Sequence, residues 1–222
     1  MEINSNIITL DGPTSSGKNS VGFLLAEKLG YKYIDSGMIY RAGCVKILQE
    51  NISTDDLEKI LDLYRNLDIK FETTGGIWKM YLEGEDVTEK LHTPQISNLV
   101  HIVAAIPEVR EAVKDVQRKV AGNNEKVVMG GRDIGSEIFP EAKYKFFLTA
   151  SVEVRAQRRF KQLSMEDSSI KYEDVLKDMM ERDQHDATRE ASPMRIPEGA
   201  IVIDNSNLTI EQTVDKMLEY IN

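Results

Sequence analysis

Gly12-Pro13-Thr14-Ser15-Ser16-Gly17-Lys18-Asn19-Ser20 has the residue types and spacing from which an anion site can be built. An apolar run, Ile7-Ile8-Thr9-Leu10, precedes it. Val21, Leu24, Leu25 and Leu29 follow at helical spacing, and Gly30 is a stop signal. The glycines therefore fall between a strand and a helix. In that setting Gly-x4-Gly-Lys turns backbone N–H groups inward, adds the positive end of a helix, and sends Lys18 to the outer phosphates. The strict pattern has Ser or Thr after the lysine, to hold magnesium. Here Asn19 stands there and the hydroxyl comes at Ser20. The phosphate reading survives this departure. Direct magnesium binding through the loop is weakened.

Further cations lie far along the chain. Gly130-Gly131-Arg132-Asp133 closes the apolar run Val127-Val128-Met129, and its glycines allow close approach to a ligand. Arg182, Asp186 and Arg189 are spaced to share one helix face. Read alone, the first is a salt bridge on a turn and the second an ion-pair ladder on a solvated helix.

The positioning elements follow a strand–helix rhythm. Tyr31–Ile34 is expected as a second strand, ending at Asp35-Ser36-Gly37, with a helix after it that carries Tyr40 and Arg41. In a parallel sheet, residues just past strand ends line the ligand crevice, so Asp35, Ser36 and Arg41 belong to the rim of the phosphate loop. Ser53–Asp56 starts a helix. Ile69–Phe71 and Ile77–Leu82, separated by Thr73-Thr74-Gly75-Gly76, read as a hairpin that interrupts the rhythm, with Trp78 as packing. Thr93-Pro94 and Pro107 open helices, the second ending before Gly122. Tyr144–Leu148 is a strand, and Ser151 caps a helix bearing Arg155, Arg158 and Arg159. Ala200–Ile203 is the last strand, and Thr209-Ile210-Glu211-Gln212 is a capping box for the closing helix.

With 222 residues, the chain can form one well-cored α/β domain with small attachments. A net charge of −9 argues against nucleic-acid binding, so basic sites must be local. The one cysteine, Cys44, excludes an internal disulfide, reads as core, and suits a reducing cytoplasm. No signal peptide and no membrane-spanning run is expected.

Several stretches together resemble bacterial cytidylate kinases, nearly end to end. They are Asp11-Gly12-Pro13 with Gly17-Lys18, Ile34-Asp35-Ser36-Gly37 with Tyr40-Arg41, and Gly84-Glu85-Asp86-Val87-Thr88. Ala104-Ala105-Ile106-Pro107-Glu108-Val109-Arg110, Gly131-Arg132-Asp133, and Arg182-Asp183 with Asp186 and Arg189 complete the set. The resemblance implies a three-layer P-loop nucleoside-monophosphate kinase fold with a five-stranded parallel sheet. It implies a single kinase domain with a core at about 1–65, 107–177 and 196–222, an inserted acceptor-binding subdomain at about 66–106, and a lid at about 178–195.

The reaction so implied moves the γ-phosphate of ATP to CMP or dCMP. Lys18, Arg132, Arg182 and Arg189 would be catalytic. The loop from Gly12 to Ser20 and Arg159 would hold ATP. Asp35, Ser36, Gly37, Tyr40, Arg41, Arg132, Arg182 and Arg189 would serve the acceptor, Asp186 with Arg182 its sugar, and Arg110 and Asp133 the cytosine edge. No protein metal site is expected, and Mg2+ would be held mainly by nucleotide phosphates and water. His101 stands where the family tends to carry Ser at a base-recognising position, which bears on how strictly cytosine is chosen. A same-fold kinase for UMP or another small acceptor, and a P-loop regulatory protein without transfer activity, are the competing readings. Small-molecule substrates, no partner protein and a monomer are expected.

Overall fold

The computed structural model describes residues 4–74, 77–123, 126–165 and 167–221. Two compact units are formed, Met1–Tyr33 with Lys126–Asn222, and Ile34–Glu125. The second contains the whole of residues 66–106.

Five strands form one sheet in the order β2-β6-β1-β7-β8. They are β1 (Asn4–Asp11), β2 (Lys32–Asp35), β6 (Val127–Gly131), β7 (Ala142–Thr149) and β8 (Ile201–Asp204). β1 is central and pairs in parallel with β6 and β7, and β7 pairs in parallel with β8. All five β6 residues are buried, which is why its apolar residues run on without alternation. Gly130 and Gly131 continue this strand, whereas the sequence placed them beyond its end. Their N–H and C=O groups extend the ladder opposite Leu10 and Asp11.

Two helices of this unit, α1 (Lys18–Leu29) and α8 (Ile210–Leu218), share a core with the sheet. It includes Ile8, Leu10, Val21, Leu25, Val128, Phe146, Val214 and Met217. The predicted capping box closes as expected, with Thr209 accepting from Gln212 N and Gln212 from Thr209 N. Ser151 caps α6 (Val152–Leu163) by accepting from Val154 N. Another helix of the unit, α7 (Tyr172–Thr188), runs unbroken through the Arg182 segment, and Arg189 is its C-cap.

The other unit contains α2 (Ser36–Gln49), α3 (Leu57–Arg65), α4 (Pro94–Val103) and α5 (Pro107–Gly122). Gly122 is the last residue of α5 rather than the stop beyond it. The expected hairpin is β3 (Ile69–Thr74) with β4 (Ile77–Leu82), and a two-residue β5 (Glu85–Asp86) adds a third strand. The turn residues Gly75 and Gly76 lie outside the described residues. Trp78 packs on Phe71 with ring centroids 5.7 Å apart. Cys44 is buried, as expected, and burial pushes its thiol pKa up to about 11.

Tyr64 is fully buried, and its hydroxyl donates to the Tyr40 carbonyl at 2.8 Å. It fits only because Gly43 has no side chain. A Cβ there would stand 2.2 Å from Tyr64 Cε1 and Cζ. Gly43→Ala is therefore expected to destabilise by about 1–3 kcal/mol despite the better helix propensity of alanine. Thermal unfolding checks this, and an unchanged or raised Tm would contradict the packing.

Candidate active site

The phosphate loop begins where β1 ends. Gly12 has φ 146°, and a Cβ there would stand 2.0 Å from the Leu148 carbonyl oxygen. Only glycine passes so close to β7 in that conformation. Gly17, also at positive φ, precedes the first turn of α1, and Lys18 follows within it.

The loop's carbonyls are committed one by one. Lys18 Nζ donates to Gly12 O and to Pro13 O, each at 2.7 Å. Thr14 O accepts from Arg155 Nη1 at 3.2 Å. Ser16 O accepts from Asn205 Nδ2 at 2.9 Å. Arg158 fixes Asn205 in turn, donating to its side-chain oxygen at 3.1 Å and its carbonyl at 2.9 Å. A loop with its carbonyls held in this way leaves N–H groups for an anion. Asn19 and Ser20 lie exposed on α1, and Asn19 Oδ1 accepts from Tyr33 OH at 3.1 Å. The residue in the magnesium-binding position thus braces α1 against β2.

Asp11, just before the loop, is fully buried. Its carboxylate accepts from Ile134 N and Gly135 N, both at 2.7 Å, and so pins the turn after Arg132-Asp133 to β1. Burial pushes its pKa up to about 7, against the two N–H bonds and nearby Lys18, which favour the charged form.

Arg132, just before that turn, reaches both ways. Its Nη2 donates to Thr14 Oγ1 at 2.7 Å and its Nε to Asp186 Oδ2 at 3.0 Å. Arg189 lies 3.6 Å from Asp186 Oδ1 and 3.7 Å from Asp133 Oδ2, and its Nε donates to Ser192 O. Asp133 and Asp186 are both buried. Arg182 is exposed on α7, and its charge also acts on Asp186. Of the residues the sequence singled out, Lys18, Arg132, Asp133, Asp186 and Arg189 are therefore brought together with the phosphate loop. Arg159 is not joined to this cluster by a described bond; its Nη1 donates to Gln162 Oε1 at 2.8 Å on α6.

The remaining singled-out residues belong to the unit Ile34–Glu125. Asp35 caps α2, accepting from Gly37 N at 2.9 Å, and Ser36 is buried in its first turn. Arg41 Nη1 donates to Leu91 O at 2.8 Å and Ser97 Oγ at 3.1 Å. Arg110 is buried, with its guanidinium 5.6 Å from the Tyr40 ring centre and 3.2 Å from Ala104 O. His101 is exposed in the last turn of α4.

Sequence reading gave no role to Asp11, Arg155, Arg158, Asp183 or Asn205. An acid at the end of an apolar strand, as at Asp11, is a signal that could have been used. The others look like ordinary polar residues until their partners are known. Among the described residues no group of three His, Cys, Asp or Glu side chains could hold a metal ion. None of the described helices is long and apolar enough to cross a membrane.

A lysine-bearing glycine loop at the carboxyl end of a central parallel strand defines the P-loop class of nucleotide-phosphate-binding proteins. Residues 8–222 match the family described as cytidylate kinase. A cytidylate kinase of Caldanaerobacter subterraneus subsp. tengcongensis is 46% identical over 214 residues, covering 96% of this chain and 93% of that protein. That of Caldicellulosiruptor saccharolyticus is 44% identical over 212 residues, with 96% and 93% covered. That of Bacillus subtilis (strain 168) is 42% identical over 212 residues, with 96% and 94% covered. The chain belongs to the cytidylate kinase family, and with it to the ATP-dependent phosphotransferases that act on nucleoside monophosphates.

Burial alone would raise the pKa of Asp186, but Arg132, Arg182 and Arg189 outweigh it and hold the carboxyl below its usual range. Such a group adds stability above the ordinary aspartate pKa, and the gain is lost as pH falls through the lowered one. Arg132→Gln is expected to move Asp186 back up, so that acid destabilisation begins at higher pH. Titration of the Asp186 carboxyl carbon by NMR reads this directly, and an unmoved midpoint would refute the pairing.

Proposed function

We propose that this protein transfers the γ-phosphoryl group of ATP to CMP or dCMP, giving CDP or dCDP. The observation that carries this reading is Arg132, whose guanidinium touches the phosphate loop at Thr14 and α7 at Asp186. A cation tied to both can serve a phosphate held by the loop and a second anion beside it. A nucleotide switch needs no second anion site.

The attacking atom is an oxygen of the acceptor phosphate, which is ionised near neutral pH, so no general base is required. Two anions must be aligned and the charge on the moving group neutralised. Lys18 exchanges its carbonyl partners for phosphate oxygens. Arg132 and Arg189 exchange carboxylate partners for phosphate oxygens, Arg182 adds a third guanidinium, and their planar forks orient the oxygens. Residues 178–195 act as a lid that keeps water from competing as acceptor. Residues 66–106 serve as the acceptor-binding insert.

The loop from Gly12 to Ser20 and Arg159 hold ATP. Asp35, Ser36, Gly37, Tyr40, Arg41, His101, Arg110, Arg132, Asp133, Arg182, Asp186 and Arg189 serve the acceptor. A carboxylate such as Asp133 can accept from the amino group of cytosine, and uracil offers no donor there. ATP enters as its magnesium complex. Asn19, in the position where a loop hydroxyl would hold the ion, is engaged by Tyr33, so phosphates and water would mainly hold it. When bound, it would supply charge neutralisation on the triphosphate. The chain works as a monomer in the cytoplasm.

ADP release from ATP is expected to require CMP or dCMP, with UMP slower by at least about tenfold. Lys18→Ala and Arg189→Ala should each lower kcat by about 10^3-fold or more. Release independent of any acceptor, or near-normal turnover in both variants, would overturn the assignment.

A further inference from the structure

The Arg182-Asp183 pair stands out in the sequence, yet the phosphate chemistry above uses Arg182 and gives Asp183 no task. The structure supplies one. Arg155, on α6, is only 5% exposed, and its fork grips both oxygens of Asp183. Nη1 donates to Oδ1 at 3.1 Å and Nη2 to Oδ2 at 2.5 Å. The same Nη1 donates to Thr14 O at 3.2 Å, and Nε donates to Ala150 O at 3.0 Å. One guanidinium thus joins α6, α7, the end of β7 and the phosphate loop.

A second bridge runs beside it. Arg132 links the Thr14 hydroxyl to Asp186, which lies one turn beyond Asp183 on the same face of α7. Thr14 therefore receives an arginine on each of its two oxygens, and each arginine ends on an α7 carboxylate. The Arg132 bridge must open if its guanidinium is to meet phosphate. The Arg155 bridge need not, because Arg155 is buried and all but one of its donors are already committed.

We propose that Asp183 and Arg155 are positioning residues that set the register of α7 against the phosphate loop and thereby place Arg182 and Arg189 for phosphoryl transfer. The proposal rests on the kinase reading given above. Neither residue touches the reacting atoms. Asp183 acts through the Arg155 fork, and the fork through Thr14. A planar two-point grip fixes distance and orientation together, which a lysine in place of Arg155 could not do. A displacement of about 1 Å in a phosphoryl-transfer site can cost on the order of 10^2 in rate.

The test compares the full-length wild type with Asp183→Asn and Asp183→Glu. It measures kcat, the KM of ATP and the KM of CMP, per folded molecule, together with Tm. The expected result is a kcat lowered about 10–100-fold in Asp183→Asn, with both KM values changed by less than about threefold. Asp183→Glu, which keeps the charge, should recover part of the loss. A kcat per folded molecule equal to wild type, even with a lowered Tm, would reduce the pair to a structural role and overturn the proposal. Should Asp183→Asn fail to fold, Asp183→Glu decides alone. A kcat below wild type with unchanged KM supports the proposal, and an equal kcat defeats it. Wild type that leaves CMP unphosphorylated would instead strike the kinase reading.

Discussion

A loop that offers its N–H groups to an anion must find other partners for its carbonyls, and it must find them without closing into a helix or strand. That constraint organises the larger unit of this protein. The carbonyls of Gly12 and Pro13 take Lys18, that of Thr14 takes Arg155, and that of Ser16 takes Asn205. These partners come from α1, from α6, and from the turn after β8. A buried carbonyl left without a donor would cost about 1–3 kcal/mol, so each partner also stabilises the loop's shape. The five-stranded sheet sets the points from which they reach. β1 delivers the loop, β7 leads into α6, and β8 ends at Asn205.

The charges follow a related logic. A site for phosphates concentrates cations, and without phosphates those cations need counter-charges. Asp133, Asp183 and Asp186 provide them. Arg–carboxylate pairs at partly buried positions gain little net stability, because desolvation offsets most of the attraction. They are therefore exchangeable when a phosphate offers the same fork a better-charged partner. Arg132 and Arg189, each poised against Asp186, fit that description. Arg155 is different: nearly all its donors are used and it lies deep, so it braces rather than responds. A net charge of −9 can coexist with such a site because the cations are gathered locally.

Secondary structure was legible wherever a local chemical rule governs it. Thr209 and Gln212 closed the box their spacing announces, Ser151 and Thr93 capped the helices they precede, and the apolar run at Val127 became a fully buried strand. Expectation slipped at glycines, once where a tertiary partner outvoted the local signal and once by a single residue at a helix end. Gly130 and Gly131 suggest a loop, but opposite Leu10 and Asp11 their backbone stays in the ladder. Gly122 suggests a stop, but α5 runs through it to a cap at Asn123.

The order of residue types along the chain was enough, by itself, to declare a phosphate loop between a strand and a helix, and to put Arg182, Asp186 and Arg189 on one helix face, whereas Arg132 joined them only through the family resemblance. Glycine spacing and helical spacing are short-range properties, and they can be read from a few neighbours. Which arginine would brace and which would remain exchangeable was decided only by the fold. Arg155 and Arg159 are near neighbours on one helix, yet one is buried against Thr14 and Asp183 while the other bonds Gln162. A guanidinium's role depends on how much water surrounds it and which carbonyls and carboxylates come within reach, and those neighbours arrive from strands and helices far away in the chain.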